Sequence, residues 1–153
     1  MKILVLGAGN LLRGDDGFGV RVIRELAHKP LPDCVRMVEA GLRVESYVAE
    51  MPDYDHVIIV DSINAGLDPG AVVSFTPDRV REAKTEDDHS LHGLGALGGV
   101  RLLESLGECP PVTIIACQRG DNIEGEKLSY PVGTAVKSAV NMVEEYIRDL
   151  AGE

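Results

Sequence analysis

Lys2-Ile3-Leu4-Val5-Leu6-Gly7-Ala8-Gly9-Asn10-Leu11-Leu12-Arg13-Gly14-Asp15-Asp16-Gly17-Phe18-Gly19 is the stretch on which the reading of the fold turns. Residues 2–6 form a short aliphatic run of the continuous kind found in strands buried on both faces. A glycine-rich loop follows. From Gly17 to His28, Val20, Ile23, Leu26 and Ala27 recur at helical spacing, and Pro30 and Pro32 close the segment. Two more aliphatic runs, 34–39 and 56–61, flank a second helix-like stretch, Val44 to Met51, which Pro52 stops. The opening reads βαβαβ, whose favoured form is a parallel sheet with right-handed crossovers.

Beyond Asp61 the pattern changes. Only the loop Asn64 to Gly70 separates the third strand from the next β-like run, Ala71 to Phe75, too little chain for a helical crossover. That strand is expected to be antiparallel and at an edge. A charged, turn-like segment, Thr76 to Asp88, leads to a glycine-broken helix around Leu91 to Leu106 and a strand, Val112 to Cys117. The last helix starts near Pro131 and carries Val136, Ala139, Val140, Val143, Ile147 and Leu150 on one stripe.

A chain of 153 residues suits one domain, 1–153, able to bury a core without disulfides or a structural metal. A net charge of −10 argues against nucleic acid or anionic membranes as partners, since both need clustered Lys and Arg. It hints instead that a protein partner offers basic groups. Cys34, Cys109 and Cys117 are odd in number and widely spaced, which suggests neither a disulfide framework nor a thiolate zinc site and fits a reducing cytoplasm. The apolar start is too short for a signal peptide and runs straight into charged residues. No segment approaches the roughly 20 apolar residues of a membrane span.

The loop from Gly7 to Gly19 stands where open α/β sheets build ligand sites. A dinucleotide fingerprint competes for it, with Gly7 and Gly9 as GxG and Glu39 as the ribose-binding acid. Leu12 occupies the third glycine position, however, and two carboxylates lie where a pyrophosphate needs positive potential. Asp15 or Asp16 can also simply cap the helix beginning near Gly17. Capping accounts for one carboxylate, and adjacent residues there cannot point the same way, which leaves the other to face the cleft.

Asp61 ends the third strand on the same carboxyl edge, although an Asx turn or a polar strand terminus also explains an Asp there. His92 lies in His89-Ser90-Leu91-His92-Gly93, where Ser90 as an N-cap with His92 on the first turn is the plainer account. Together Asp16, Asp61 and His92 make an O/O/N set suited to nickel, zinc or manganese. Three ligands leave coordination positions open, which favours recognition or catalysis over structural stapling.

Gly9-Asn10-Leu11-Leu12 followed by Asp15-Asp16-Gly17-Phe18-Gly19, then Ile58-Ile59-Val60-Asp61, then Ser90-Leu91-His92 before a glycine, resembles the hydrogenase maturation protease family along nearly the whole chain. The resemblance implies a three-layer αβα sandwich: a five-stranded, mostly parallel twisted sheet with one antiparallel edge strand, flanked by helices. It implies an aspartic-type, nickel-dependent endopeptidase that removes a C-terminal extension from the large-subunit precursor of a nickel-iron hydrogenase. The family's metal-contacting acid falls on Asp16, often Glu in the family, its strand-end acid on Asp61 and its histidine on His92. These three are the expected catalytic and metal residues, with His89 an open candidate beside them. Two positions depart from the family: Glu39-Ala40-Gly41 replaces Asp-Gly-Gly, and Gln118-Arg119 replaces Gln-Pro.

The favoured mechanism has no permanent metal: nickel already in the substrate docks on Asp16, Asp61 and His92 and places the scissile peptide beside them. Two alternatives stand next to it, a metallohydrolase with a resident divalent ion and a non-catalytic nickel-binding assembly chaperone. Cys117, near the end of the last strand, is read as packing rather than as a nucleophile.

Overall fold

The computed structural model describes residues 1–81, 94–121 and 124–152. Five strands, β1 (Ile3–Ala8), β2 (Val35–Gly41), β3 (His56–Ile63), β4 (Val72–Phe75) and β5 (Val112–Gln118), form one sheet in the order β2-β1-β3-β5-β4. β1 pairs in parallel with β2 and β3, and β3 with β5, while β4 runs antiparallel to β5 at the edge. This is the expected arrangement, and the short connection after β3 is its cause. The register shifts between Gly7 and Ala8, which leaves Ala40 of β2 as the unpaired bulge residue beside the loops of interest.

Strand alternation sorts the apolar residues into two cores. On one face Ile3, Val5, Ile58, Val60, Ile115 and Cys117 pack beneath α1 (Phe18–Leu26) and α3 (Tyr130–Ala151). On the other, Leu4, Leu6, Val57, Ile59, Ile114 and Ala116 meet Val44 and Met51 of a 3-10 helix and Val100 and Leu103 of α2 (Leu94–Ser105). Helices thus cover both faces of a mostly parallel sheet. Among the described residues no helix is long and apolar enough to cross a membrane.

Three expectations need correction. The stretch after β2 is a 3-10 helix, Val44–Asp53, and it continues through Pro52. The Tyr54 N–H bonds to the Met51 carbonyl at 3.0 Å, a three-residue spacing that bypasses the missing donor of Pro52. α1 ends at Leu26, not His28; Ala27 caps it and is exposed, while Phe18 and Val22 lie in the core. β3 runs on past Asp61 to Ile63 because β5 continues to pair with it there, Asp61 opposite Ala116 and Ile63 opposite Gln118. On α3 the expected stripe holds: Ala139, Val140, Val143 and Ile147 are buried, and Val136 and Leu150 pack beside them.

Candidate functional site

Strand order reverses at β1, with β2 on one side and β3 on the other, and ligands of open α/β sheets settle at the carboxyl end of such a switch point. β1 and β3 pair only as far as Gly7 and Val60. The chain then leaves the sheet at Gly9, whose φ of +118° suits glycine. A Cβ at Gly9 would lie 1.9 Å from the Asp16 carbonyl oxygen, so the loop folds back on itself only because that atom is missing. Gly19 does the same for the helix: a Cβ there would stand 2.2 Å from the Val60 oxygen and 2.4 Å from the Ala8 oxygen. The glycines that suggested a dinucleotide fingerprint bring loop and helix against β1 and β3. Glu39, the supposed ribose acid, is paired to Arg24 of α1 at 2.5 Å.

Asp16 and Asp61 converge at this point. Asp61 is fully buried, and its Oδ1 accepts the Ser62 N–H at 2.7 Å. Ser62 Oγ lies 3.4 Å from Asp16 Oδ1, so one serine touches both carboxylates. Gly9 borders the same space: a Cβ there would sit 3.9 Å from Asp61 Oδ1. Asp16 retains 5 % exposure. His92 and His89 lie outside the described residues, as does Ser90 as a helix cap.

The capping reading of the aspartates is corrected. Asp15 and Asp16 belong to a buried 3-10 turn, Gly14–Gly17, and the N-cap of α1 is Gly17, which has no side chain to offer. Asp15 turns instead toward the β5–α3 connection. Its Oδ2 accepts the Gly120 N–H at 2.8 Å and the Ser129 hydroxyl at 2.7 Å, and its Oδ1 accepts the Ser129 N–H at 2.6 Å. The Gly14 N–H bonds to the Gly125 carbonyl at 2.7 Å and Arg21 donates to the Glu126 carbonyl at 2.5 Å, so the two loops are stitched together. The adjacent aspartates do point in different directions, as the geometry of a helix entry requires.

Gln118 was legible only as part of a dipeptide, yet its buried amide organises the loop after Asp61. Its Oε1 accepts the N–H groups of Ala65 and Leu67 at 2.8 and 3.3 Å, and its Nε2 donates to Asn64 Oδ1 and the Arg119 carbonyl at 3.3 and 2.9 Å. A polar residue closing an apolar strand is the signal that marks it. Burial, with the charge of Asp15 second, pushes the Cys117 thiol up to about 12, so it carries no thiolate for attack at neutral pH.

A groove of about 460 Å³ opens between the β1 and β2 loops, bordered by Gly9, Asn10, Leu11, Arg24, Glu39, Leu42 and Arg43; it meets the carboxylates only through Gly9. The pair Asp16 and Asp61 offers hard oxygen donors to a divalent ion or a base to a water molecule. Among the described residues no group of three His, Cys, Asp or Glu side chains lies close enough together to hold a metal.

The chain and its fold have counterparts among known proteins. The family model of HycI, hydrogenase maturation protease, matches residues 20–147. The hydrogenase expression/formation protein HupD of Bradyrhizobium diazoefficiens is 32 % identical over 144 residues, covering 92 % of this chain and 75 % of HupD. The hydrogenase maturating endopeptidase HybD of Escherichia coli superposes with a TM-score of 0.86 at 29 % identity, over 97 % of this chain and 93 % of that one. The [NiFe] hydrogenase maturation protease HybD of Thermococcus kodakarensis gives 0.77 at 28 % identity, over 96 % and 99 %. The chain belongs to the hydrogenase maturation protease family.

Proposed function

We propose that this protein is a cytoplasmic endopeptidase that cuts the C-terminal extension from the nickel-loaded large-subunit precursor of a nickel-iron hydrogenase. The observation that carries the reading is the convergence of Asp16 and Asp61 at the switch point, buried and joined through Ser62. The Thermococcus kodakarensis relative, named for a [NiFe] hydrogenase, supports the choice of metal. Nickel belongs to the substrate: Asp16 and Asp61 hold it through oxygen, and His92, assigned from sequence, supplies the nitrogen. Affinity then depends on the metal having been installed, so differential binding suppresses premature cleavage. Water attacks the scissile carbonyl, assisted by the metal or by one of the two carboxylates in the manner of an aspartic-type peptidase.

The test is the mass of the large-subunit precursor, with and without nickel, after incubation with the wild-type protein or with Asp16→Asn, Asp61→Asn or His92→Ala. A nickel-dependent loss of one C-terminal peptide, absent in the variants, is the expected result. Binding without any change in mass would replace the protease by an assembly chaperone. Stoichiometric metal in the purified protein alone would replace substrate nickel by a resident ion.

A further inference from the structure

Two backbone turns flank the groove, and they present the same pair of side chains in the same phase. In Asn10-Leu11-Leu12-Arg13 the Arg13 N–H bonds to the Asn10 carbonyl at 3.1 Å; in Ala40-Gly41-Leu42-Arg43 the Arg43 N–H bonds to the Ala40 carbonyl at 2.9 Å. Each turn therefore carries Leu at its third position and Arg at its fourth. The Gly9 N–H to Gly41 carbonyl bond, 2.9 Å, ties the two segments together, and the Asn10 side chain accepts the Leu12 N–H at 2.9 Å. Hydrogen bonds hold both turns in this form.

The leucines face solvent, Leu12 at 65 % and Leu42 at 56 % exposure. Isolated exposed leucines are ordinary; these two stand on matched turns whose segments are tied by the Gly9–Gly41 bond, Leu42 lining the groove itself. Arg13 and Arg43 are exposed too, and neither makes an ion pair among the described residues. In the groove itself Glu39 is taken by Arg24, which leaves Arg43 as the uncompensated charge. A chain with net charge −10 thus carries Arg13 and Arg43, unpaired among the described residues, with Leu12 and Leu42, on the two turns that flank this groove. Its net charge alone suggested a basic partner; the local sign is the opposite.

We infer that the paired Leu-Arg turns are a docking surface for the precursor protein, engaging a region that offers an apolar recess flanked by Asp or Glu carboxylates. The inference rests on the proposed protease reading. Charge complementarity selects the occupant: on a chain of net charge −10, the two arginines on these turns attract carboxylates that the net charge would otherwise repel. Leucine burial then holds the complex while the carboxylates act.

The experiment uses the nickel-loaded large-subunit precursor from the same organism, with Arg13→Glu/Arg43→Glu and Leu12→Ser/Leu42→Ser double variants, each checked by circular dichroism. Cleavage and binding are both measured, at low and high salt. The expected result is a KM raised about tenfold in each, with kcat within about twofold of wild type. The arginine effect shrinks in roughly 0.5 M salt and the leucine effect persists. Wild-type cleavage with unchanged KM in both variants overturns the docking surface and leaves the protease reading standing. If the wild type binds the precursor without cutting it and the variants lose that binding, the protease reading fails and the surface stands. A precursor that is neither cut nor bound overturns both.

Discussion

Two regions of the carboxyl edge receive one aspartate each from a single turn. At the β1/β3 switch point Asp16 meets Asp61 through Ser62, at a contact of 3.4 Å that is long for a hydroxyl–carboxylate hydrogen bond. At the β5–α3 connection Asp15 accepts three hydrogen bonds of 2.6 to 2.8 Å from Gly120 and Ser129. One carboxylate ties two loops together; its neighbour turns toward a second buried carboxylate. Residues alike in type, burial and sequence position are separated by which loop the turn aims them at.

The comparison breaks most sharply at Asp16. Asp16→Asn keeps shape and removes charge, so cleavage of nickel-loaded precursor is expected to fall by roughly 10³-fold or more. Single-turnover cleavage, with circular dichroism to confirm folding, checks it. Retained cleavage would remove Asp16 from the chemistry. Asp15→Ala should do the reverse, leaving the donors of Gly120 and Ser129 without their acceptor, at a cost of about 3 kcal/mol in urea denaturation. Unchanged stability with lost activity would show that the two roles had been exchanged.

The sequence exposes these regions unequally. β1, β3 and β5 are aliphatic runs because both faces are covered, so their existence, and Asp61 at a carboxyl end, can be read locally. The antiparallel β4 follows from the few residues after β3. Asp15 cannot be resolved that way: Gly120 and Ser129 lie 105 and 114 residues along the chain, and only tertiary folding shows which of two adjacent aspartates they claim. The same holds for Gln118, whose partners Asn64, Ala65 and Leu67 sit across the sheet edge. The 3-10 form of Val44–Asp53 is hidden because apolar spacing does not separate it from an α-helix over so short a span.

Ser129→Ala sharpens the structural half. It removes one of the three donors to Asp15 and leaves the two backbone N–H bonds, so the loss should be roughly 1 kcal/mol, clearly below that of Asp15→Ala, with cleavage unchanged. Equal losses would mean that the hydroxyl alone holds the connection.

The finest probe is the buried thiol between the two regions. Cys117 titrates near 12 when folded against an ordinary 9.0, mainly through burial and secondarily through the charge of Asp15. From pH 9.0 toward 12 the unfolded chain releases this proton first, so the contribution to stability is complete below 9.0 and declines as pH rises. Asp15→Asn removes the secondary cause and leaves the burial. The thiol should therefore titrate below about 12 but still above 9.0. The Raman S–H stretch followed against pH, in a Cys34→Ser/Cys109→Ser background, reports this midpoint without requiring access to the thiol. A fall to 9.0 would mean that the loop had opened and Cys117 was no longer buried. A midpoint that does not move at all would mean that the charge pinned at the β5–α3 connection is not felt at Cys117, only one residue from Gln118 and the loop that follows Asp61.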